Sequence, residues 1–360
     1  MQKLCPDATV PLWKELAGKY LTKCYSNVKI KVDAWLAQGN YNCLTSDGWS
    51  NISNEAVINY MLVSTNMSLF LESKYTGEQG HTASFLAKDM SRVIKATTGN
   101  IAGAIMDNTL ANKSAWELLK KEYPGIFFQG CVSHGLHLFV KDIFSATKKK
   151  HGRLVADYPE GYPFKYILDF VHECKNVATF FHNHQAPKAQ LKVVLKAAKL
   201  KMLAQMAPTC WGSIKAMAET MLAAEAILHQ LVTVRGFISS DAKQKAARQA
   251  IHDTVTSANF VNLLQKTLMV LKPINTAIIF YQSDAVPVSE VFYTFSCKIP
   301  SAILAMPIPQ VEIDYLMKLC QHRFDFMYGN AHGIAYLLDP QYVGDLPYMK
   351  SKQCWHNFIR

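Results

Sequence analysis

A chain of 360 residues, half of them hydrophobic, can bury a sizeable core, which excludes a wholly disordered chain. Its formal charge of +11 and isoelectric point near 9.1 favour a polyanionic partner, nucleic acid before membrane, without specifying fold or activity. Nine scattered cysteines with no CxxC pair fit a reducing compartment better than a disulfide framework.

The start, MQKLCPDATVPLW, lacks the apolar core of a signal peptide, and no run approaches the length of a membrane span. The expectation is a nuclear or cytosolic protein with no membrane partner. Residues 1–40 read as a helical lead-in, with Leu16, Tyr20, Leu21, Tyr25, Val28, Val32, Trp35 and Leu36 at spacings of three and four, stopped by Gly39-Asn40.

A strand over 42–47 follows, then a turn at 51–54 and strands over 56–64 and 68–75. Apolar residues at Phe85, Leu86, Met90, Val93 and Ile94 predict a helix over 81–95. A fourth strand over 101–106 ends at Asp107. A helix over 112–122, a fifth strand over 125–132 and a helix from His134 complete the segment. Three strands, helix, strand, helix, strand is the order of a ribonuclease-H-like core, α/β with a mixed sheet. In that layout the first and fourth strands are neighbours, so Asp47 and Asp107 would meet.

Beyond residue 145 the pattern is helical. Residues 151–167 are irregular, and helices are expected over 165–182, 190–203, 213–231, 241–258, 260–280, 287–303 and 310–326. Their Leu, Met and Ile stripes read as core.

The candidate chemistry lies in the acids. Asp47, in YNCLTSDGWS, and Asp107, in IAGAIMDN, are hard oxygen ligands on rigid strands, the donor type that holds Mg²⁺ or Mn²⁺ for phosphoryl transfer. Asp-Gly and Asp-Asn are also ordinary turn and cap sequences, so a purely structural role stands beside the metal one. Lys148, Lys149, Lys150, Arg153, Lys188, Lys192, Lys196, Lys199 and Lys201 form the most basic stretch. They make either a solvated face or a phosphate-tracking ridge, on which Lys192, Lys196 and Lys199 share one helix face. Cys131, His134 and His137 offer only half a zinc site, better read as a buried structural pair, and zinc is not expected. His182 and His184, a His-x-His in a loop, are a weaker metal hint.

The stretches DGWSNISN (47–54), LESKYTGEQG (71–80), MDNTLANKSAW (106–116) and FFQGCVSHGLHLFVKDI (127–143) together resemble transposase-like proteins of the hAT superfamily, in the group sharing the domain DUF659. The resemblance returns at TCWGS (209–213) and AHGIAYLLDPQYVGD (331–345). It implies a ribonuclease-H-like core interrupted by a large α-helical insertion domain, and a DDE triad acting on DNA with two divalent metal ions. Asp47 falls on the first acid and Asp107 on the second. Cys131 and His134 fall on a Cys-x-x-His motif, and Trp211 on an insertion-domain tryptophan placed near DNA ends. The implied division is a lead-in (1–40), a core (41–145), a helical insertion (146–330) and a shortened C-terminal return (331–360).

The sequence departs from the family at the third acid, a Glu within Ser-x-x-Ser-Glu-Arg-x-Phe-Ser in the C-terminal dimerisation region, which has no counterpart here. The N-terminal zinc-finger module has none either, and Cys210 stands where an Arg precedes the tryptophan. Glu290, Glu312 and Asp339, after the helical region, are formal substitutes for it; each also suits a helix surface or turn. Three readings follow: a transposase-derived DNA-binding protein that does not cleave, a residual Mg²⁺- or Mn²⁺-dependent nuclease, and a non-catalytic interaction scaffold. The resemblance favours the nucleus, with DNA and other transposase-like chains as partners.

Overall fold

The computed structural model describes residues 11–64, 67–144, 147–150, 153–156, 158–159, 161–206, 212–238, 242–283 and 286–342. By its internal contacts the chain divides into two compact units, Met1–Gly130 and Cys131–Arg360.

The first unit opens with α1 (Trp13–Glu15), a π-helical turn (Leu16–Tyr20) and α2 (Leu21–Leu36). Trp13, Leu16, Leu21, Tyr25 and Val28 remain exposed, and only towards Val32, Trp35 and Leu36 does the helix join the core of the sheet. Then come β1 (Tyr41–Ser50), β2 (Ala56–Val63), β3 (Ser68–Tyr75), α3 (Ala83–Ala96), β4 (Asn100–Met106), α4 (Leu110–Glu122) and β5 (Phe127–Gly130). The sheet order is β3-β2-β1-β4-β5, antiparallel on the β3 side of β1 and parallel from β1 through β5. This is the ribonuclease-H-like mixed sheet expected from the order of elements.

Alternation along the strands sends Leu44, Ile58, Tyr60, Leu62, Ala104, Met106 and Phe128 into one buried face, covered by Leu86, Met90 and Val93 of α3 and Trp116 and Leu119 of α4. Thr82 and Thr109 begin these two helices, their hydroxyls accepting from the backbone N–H of Phe85 (3.3 Å) and Asn112 (3.1 Å). Among the described residues, one charge is buried in this layer. Asp89 of α3 accepts from Tyr60 Oη and Arg92 Nε, both at 2.9 Å, and from Lys74 Nζ; Arg92 also pairs with Glu72. Burial raises the Asp89 carboxyl, but the donations from Arg92, Lys74 and Tyr60 outweigh it and hold the group below its ordinary range. Burial beside Asp89 pushes the Tyr60 phenol up.

The second unit begins with α5 (Val132–Phe144) and a hairpin, β6 (Thr147–Lys150) and β7 (Arg153–Ala156). The hairpin occupies part of a stretch expected to be irregular. It continues with α6 (Lys165–Asn183), α7 (Gln185–Ala197), α8 (Gly212–Ala223), α9 (Glu225–Thr233), α10 (Ala242–Thr256) and α11 (Phe260–Tyr281). Next come α12 (Ser289–Tyr293), a π turn (Thr294–Lys298), α13 (Ile299–Leu304), α14 (Gln310–Met327), α15 (Asn330–Leu338) and a 3₁₀ turn (Pro340–Tyr342). By length and composition α11 could cross a membrane, contrary to the expectation that no segment comes near that length. Leu264, Val270, Leu271 and Ile274 are at most 1% exposed, and α11 packs on α5 and α8 as the central core helix. Arg323 of α14 forms a bidentate pair with Asp142 of α5 at 2.6 Å, so α5 is pinned within the helical unit.

Three expected helices end or break earlier than their apolar pattern suggests. The segment 213–231 divides at Ala224. The segment 287–303 passes through a π turn before Pro300, whose missing N–H interrupts the α-helical ladder. The helix expected to reach residue 203 stops at Ala197, because Lys199 takes a left-handed conformation at φ +55° and Leu200 N–H bonds back to the Leu195 carbonyl at 2.9 Å. That is a Schellman end with lysine where glycine is usual.

Lys199→Gly should therefore stabilise the protein by about 0.5–1 kcal/mol, read as a raised urea midpoint at unchanged m. Asp89→Asn should cost roughly 2 kcal/mol at neutral pH, a value reduced because Lys74 and Arg92 stay partly solvated. A carboxyl depressed in the fold stabilises above its unfolded pKa, so this loss should shrink as pH falls below about 4. Urea titrations of both proteins across pH 3–7 check it.

Candidate carboxylate site

Asp47 lies within β1, and its register against β4 decides the geometry. The parallel pairing runs Cys43↔Gly103, Leu44↔Ala104 and Thr45↔Ile105. Two residues further along both chains stand Asp47 and Asp107, level with one another at the C-terminal edge of the parallel strands. Directly opposed residues of parallel strands project to the same face. Asp47 therefore shares with Asp107 the face opposite Leu44 and Met106, the one not covered by α3 and α4. Asp47 is exposed and Asp107 half-buried.

The strand does not stop at Asp47 as expected. Asp47, Gly48, Trp49 and Ser50 continue the ladder with β2, from Asp47↔Asn59 to Ser50↔Ala56. The following turn is locked by Asn51, whose side-chain oxygen accepts from Ser53 and Glu55 N–H at 2.9 Å. Asp47 is thus held in an antiparallel ladder where β4 ends, a firmer seat than a strand terminus. Asp107 is held through its main chain: its carbonyl accepts from Thr109 N–H and Asn112 Nδ2, both at 2.9 Å.

Residues not marked out by the sequence reading set this geometry. Asn42 Nδ2 donates to the carbonyls of Asn40 (2.8 Å) and Asn100 (3.1 Å), tying β1 to β4 at their start. Buried Asn108 occupies the space a side chain would need at Gly130: a Cβ there would lie 1.7 Å from Asn108 Oδ1 and 2.9 Å from Trp116 Cη2. Only glycine admits Asn108 beneath the second acid. Cys43, on the Asp47 face, has its thiol pushed up to about 12 by burial, which favours the neutral thiol.

The remaining candidates are dispersed. Among the described residues, no group of three or more His, Cys, Asp or Glu side chains gathers to hold a metal ion, so Cys131, His134 and His137 do not form a zinc set. His137 is held below its ordinary pKa by burial and then by His134, favouring the neutral ring. His182 lies in the last turn of α6 and His184 caps it, not in a loop; they bond the Leu203 carbonyl (2.7 Å) and the Phe180 carbonyl (2.9 Å).

The three later acids all have partners inside the helical unit. Glu290 pairs with Lys298 at 2.8 Å and accepts from Tyr342 Oη. Glu312 accepts from Tyr166 Oη at 2.7 Å and Lys266 Nζ at 2.9 Å. Asp339 accepts from Ser289 Oγ at 2.6 Å and Gln341 N–H at 3.0 Å, which keep its carboxyl below the ordinary range.

Lys188, Lys192 and Lys196 recur every fourth residue on α7 and are all exposed, while Leu191 and Leu195 turn inward. Lys199 is exposed too, but it stands at the left-handed cap beyond the helix rather than on its face. Trp211 and the side chains of Lys148, Lys149, Lys150 and Arg153 lie outside the described residues.

Residues 11–182 match DUF659. The matched family is described as a domain of unknown function; the match covers the sheet unit and runs to the end of α6. No curated protein matches the chain. Among solved structures, the Drosophila P element transposase strand transfer complex is similar at 10% sequence identity and a TM-score of 0.31, with 84% of this chain and 67% of that chain covered.

The Gly130 packing gives a direct check. Gly130→Ala should destabilise by roughly 1–3 kcal/mol, because Asn108 and Trp116 are buried and must shift. Gly130→Ala combined with Asn108→Ala should recover part of that loss in urea unfolding; independent, additive losses would exclude the steric coupling.

Proposed function

We propose that this chain is a transposase-derived protein of hAT type that binds DNA through sequence-independent phosphate contacts and does not cleave it. The observation that carries the reading is the carboxylate pair. Asp47 and Asp107 stand level on adjacent parallel strands of a ribonuclease-H-like sheet, and no third ligand joins them among the described residues. The match to DUF659 over residues 11–182 supports the same ancestry.

Two carboxylates suit a single Mg²⁺ or Mn²⁺, which takes one or two protein carboxylates and completes its shell with water and phosphate oxygens. A bound ion would supply charge neutralisation at a phosphate. The chain's part is to fix Asp47 by its β2 ladder and Asp107 by Asn112 and Thr109. A two-ion cleavage centre needs further ligands bridging and flanking both ions. Glu290, Glu312 and Asp339 are each engaged in bonds internal to the helical unit, which argues against their recruitment.

The DNA-binding surface of this reading is the α7 row, Lys188, Lys192 and Lys196, extended by Lys199 at the cap. Exposed lysines spaced one helical turn apart track a phosphate backbone without reading bases. Such a protein would act in the nucleus. The residual-nuclease reading rests on the same pair of acids and differs in one outcome: Mn²⁺-dependent nicking that Asp47→Asn abolishes.

Fluorescence anisotropy with a labelled duplex should show affinity falling linearly with salt on a log–log plot. The Lys192→Glu/Lys196→Glu/Lys199→Glu variant should bind about tenfold or more weakly, with a slope shallower by about one for each phosphate no longer neutralised. A plasmid-nicking assay with Mg²⁺ or Mn²⁺ should give no cleavage. Salt-independent binding, or an unaltered triple variant, would remove the DNA reading; Asp47-dependent nicking would establish the nuclease.

A further inference from the structure

The helical unit contains a partly open cavity of about 680 Å³ between α11 and the segment from the π turn to Pro307. Met269, Pro273 and Ala277 form one wall, and Ile299, Ala302 and Met306 the other. Its origin is legible in the backbone. Pro273, inside α11, has no N–H to return to the Met269 carbonyl, and Pro300 follows a π turn that widens the facing helix. Two interrupted helices facing each other with alanines between them do not close into ridge-and-groove packing. The volume lies within the range of small-molecule sites, and the apolar lining with few polar groups is their usual chemistry.

The polar groups define the ligand's charge. Lys272 and Lys298 both line the cavity. Lys298 Nζ is fixed by the Glu290 carboxylate at 2.8 Å and lies 5.2 and 5.1 Å from the ring centroids of Phe280 and Tyr293. Glu290 is anchored in turn by Tyr342 Oη. Lys272 is exposed. The lining thus carries two lysines and no acid, around an apolar interior.

We propose that this cavity binds a small amphipathic anion, an apolar chain ending in a carboxylate, with the chain between α11 and α13 and the carboxylate at Lys272 and Lys298. Exposed Lys272 is solvated in either case, so a neutral apolar ligand gains nothing from it, whereas a carboxylate gains a charge-assisted contact. The compact volume suits a single chain better than a partner helix, whose apolar stripe would run over several turns. This site is independent of the carboxylate pair and of the lysine row on α7.

The test is calorimetric titration of the full chain with dodecanoate below its micellar concentration, with dodecanol as the uncharged comparison. Saturable binding of one dodecanoate in the micromolar range is expected, on the order of 1–10 μM. Ala302→Trp fills the cavity and should abolish binding. Lys272→Glu, an exposed substitution that leaves the core intact, should weaken dodecanoate about tenfold and leave dodecanol unchanged. If Ala302→Trp lowers the melting temperature, the Lys272→Glu comparison decides alone. Absence of saturable binding, equal affinity for dodecanol and dodecanoate, or indifference to Lys272→Glu would each overturn the proposal.

Discussion

The parallel pairing of β1 with β4 is the constraint on which the candidate site depends. A one-residue slip in that register would turn Asp47 or Asp107 to the opposite face of the sheet, because side-chain direction alternates with every residue. Asn42 ties the two strands at their start by donating to the carbonyls of Asn40 and Asn100, and the pairing then shifts by one residue between Asn42 and Cys43 before running as Cys43↔Gly103. Close packing adds to it: a side chain at Gly99 would meet Leu36 at 2.8 Å and Asn42 at 3.1 Å. Neither device touches the acids; the pairs from Cys43↔Gly103 to Thr45↔Ile105, beyond the shift, set the level at which the acids stand.

Within the sheet unit, the same helix layer that buries Leu44 and Met106 also buries Asp89. A lone carboxylate there would be costly, and three donors make it tolerable. The network joins β2, β3 and α3, so the antiparallel half of the sheet and its covering helix are tied by directional bonds as well as by apolar packing. Asp47 and Asp107 are different: they stand level on the other face, at the C-terminal edge of the parallel strands. The two kinds of acid look alike in the sequence.

In the helical unit buried acids serve packing. Asp142 holds α5 to α14 through Arg323, and burial raises its carboxyl despite that partner. Glu312 ties α14 to α6 and α11 through Tyr166 and Lys266. Glu290 links α12 to the π turn and to Tyr342. Rings of Phe292, Tyr293, Tyr336 and Tyr342 stack around that last junction. Such bonds give long helices of similar apolar pattern distinct neighbours, a specificity that hydrophobic stripes alone do not provide.

Hydrophobic alternation in YNCLTSD and IAGAIMD, and helical spacing in between, are enough to name the five strands in order and to put Asp47 beside Asp107. Those signals are local, and the order of elements leaves few ways to arrange the sheet. The early helix ends are not legible, because a lysine in a left-handed cap carries no stop signal. The hairpin at 147–156 escapes a sequence reading because its lysine run lacks an apolar alternation. Gly130 reads in the sequence only as a glycine closing a strand; that Asn108 fills the space of its missing side chain is a packing relation across 22 positions of chain. By itself, then, the sequence determined the strand order, the placement of Asp47 and Asp107 on neighbouring strands and the basic character of α7, all properties of spacing and charge. Tertiary structure decided that Asp47 is seated within a continuing ladder, that Glu290, Glu312 and Asp339 are tied to helices, and that two prolines leave a cavity open. Each of these depends on which distant residues come together, and no local pattern encodes that.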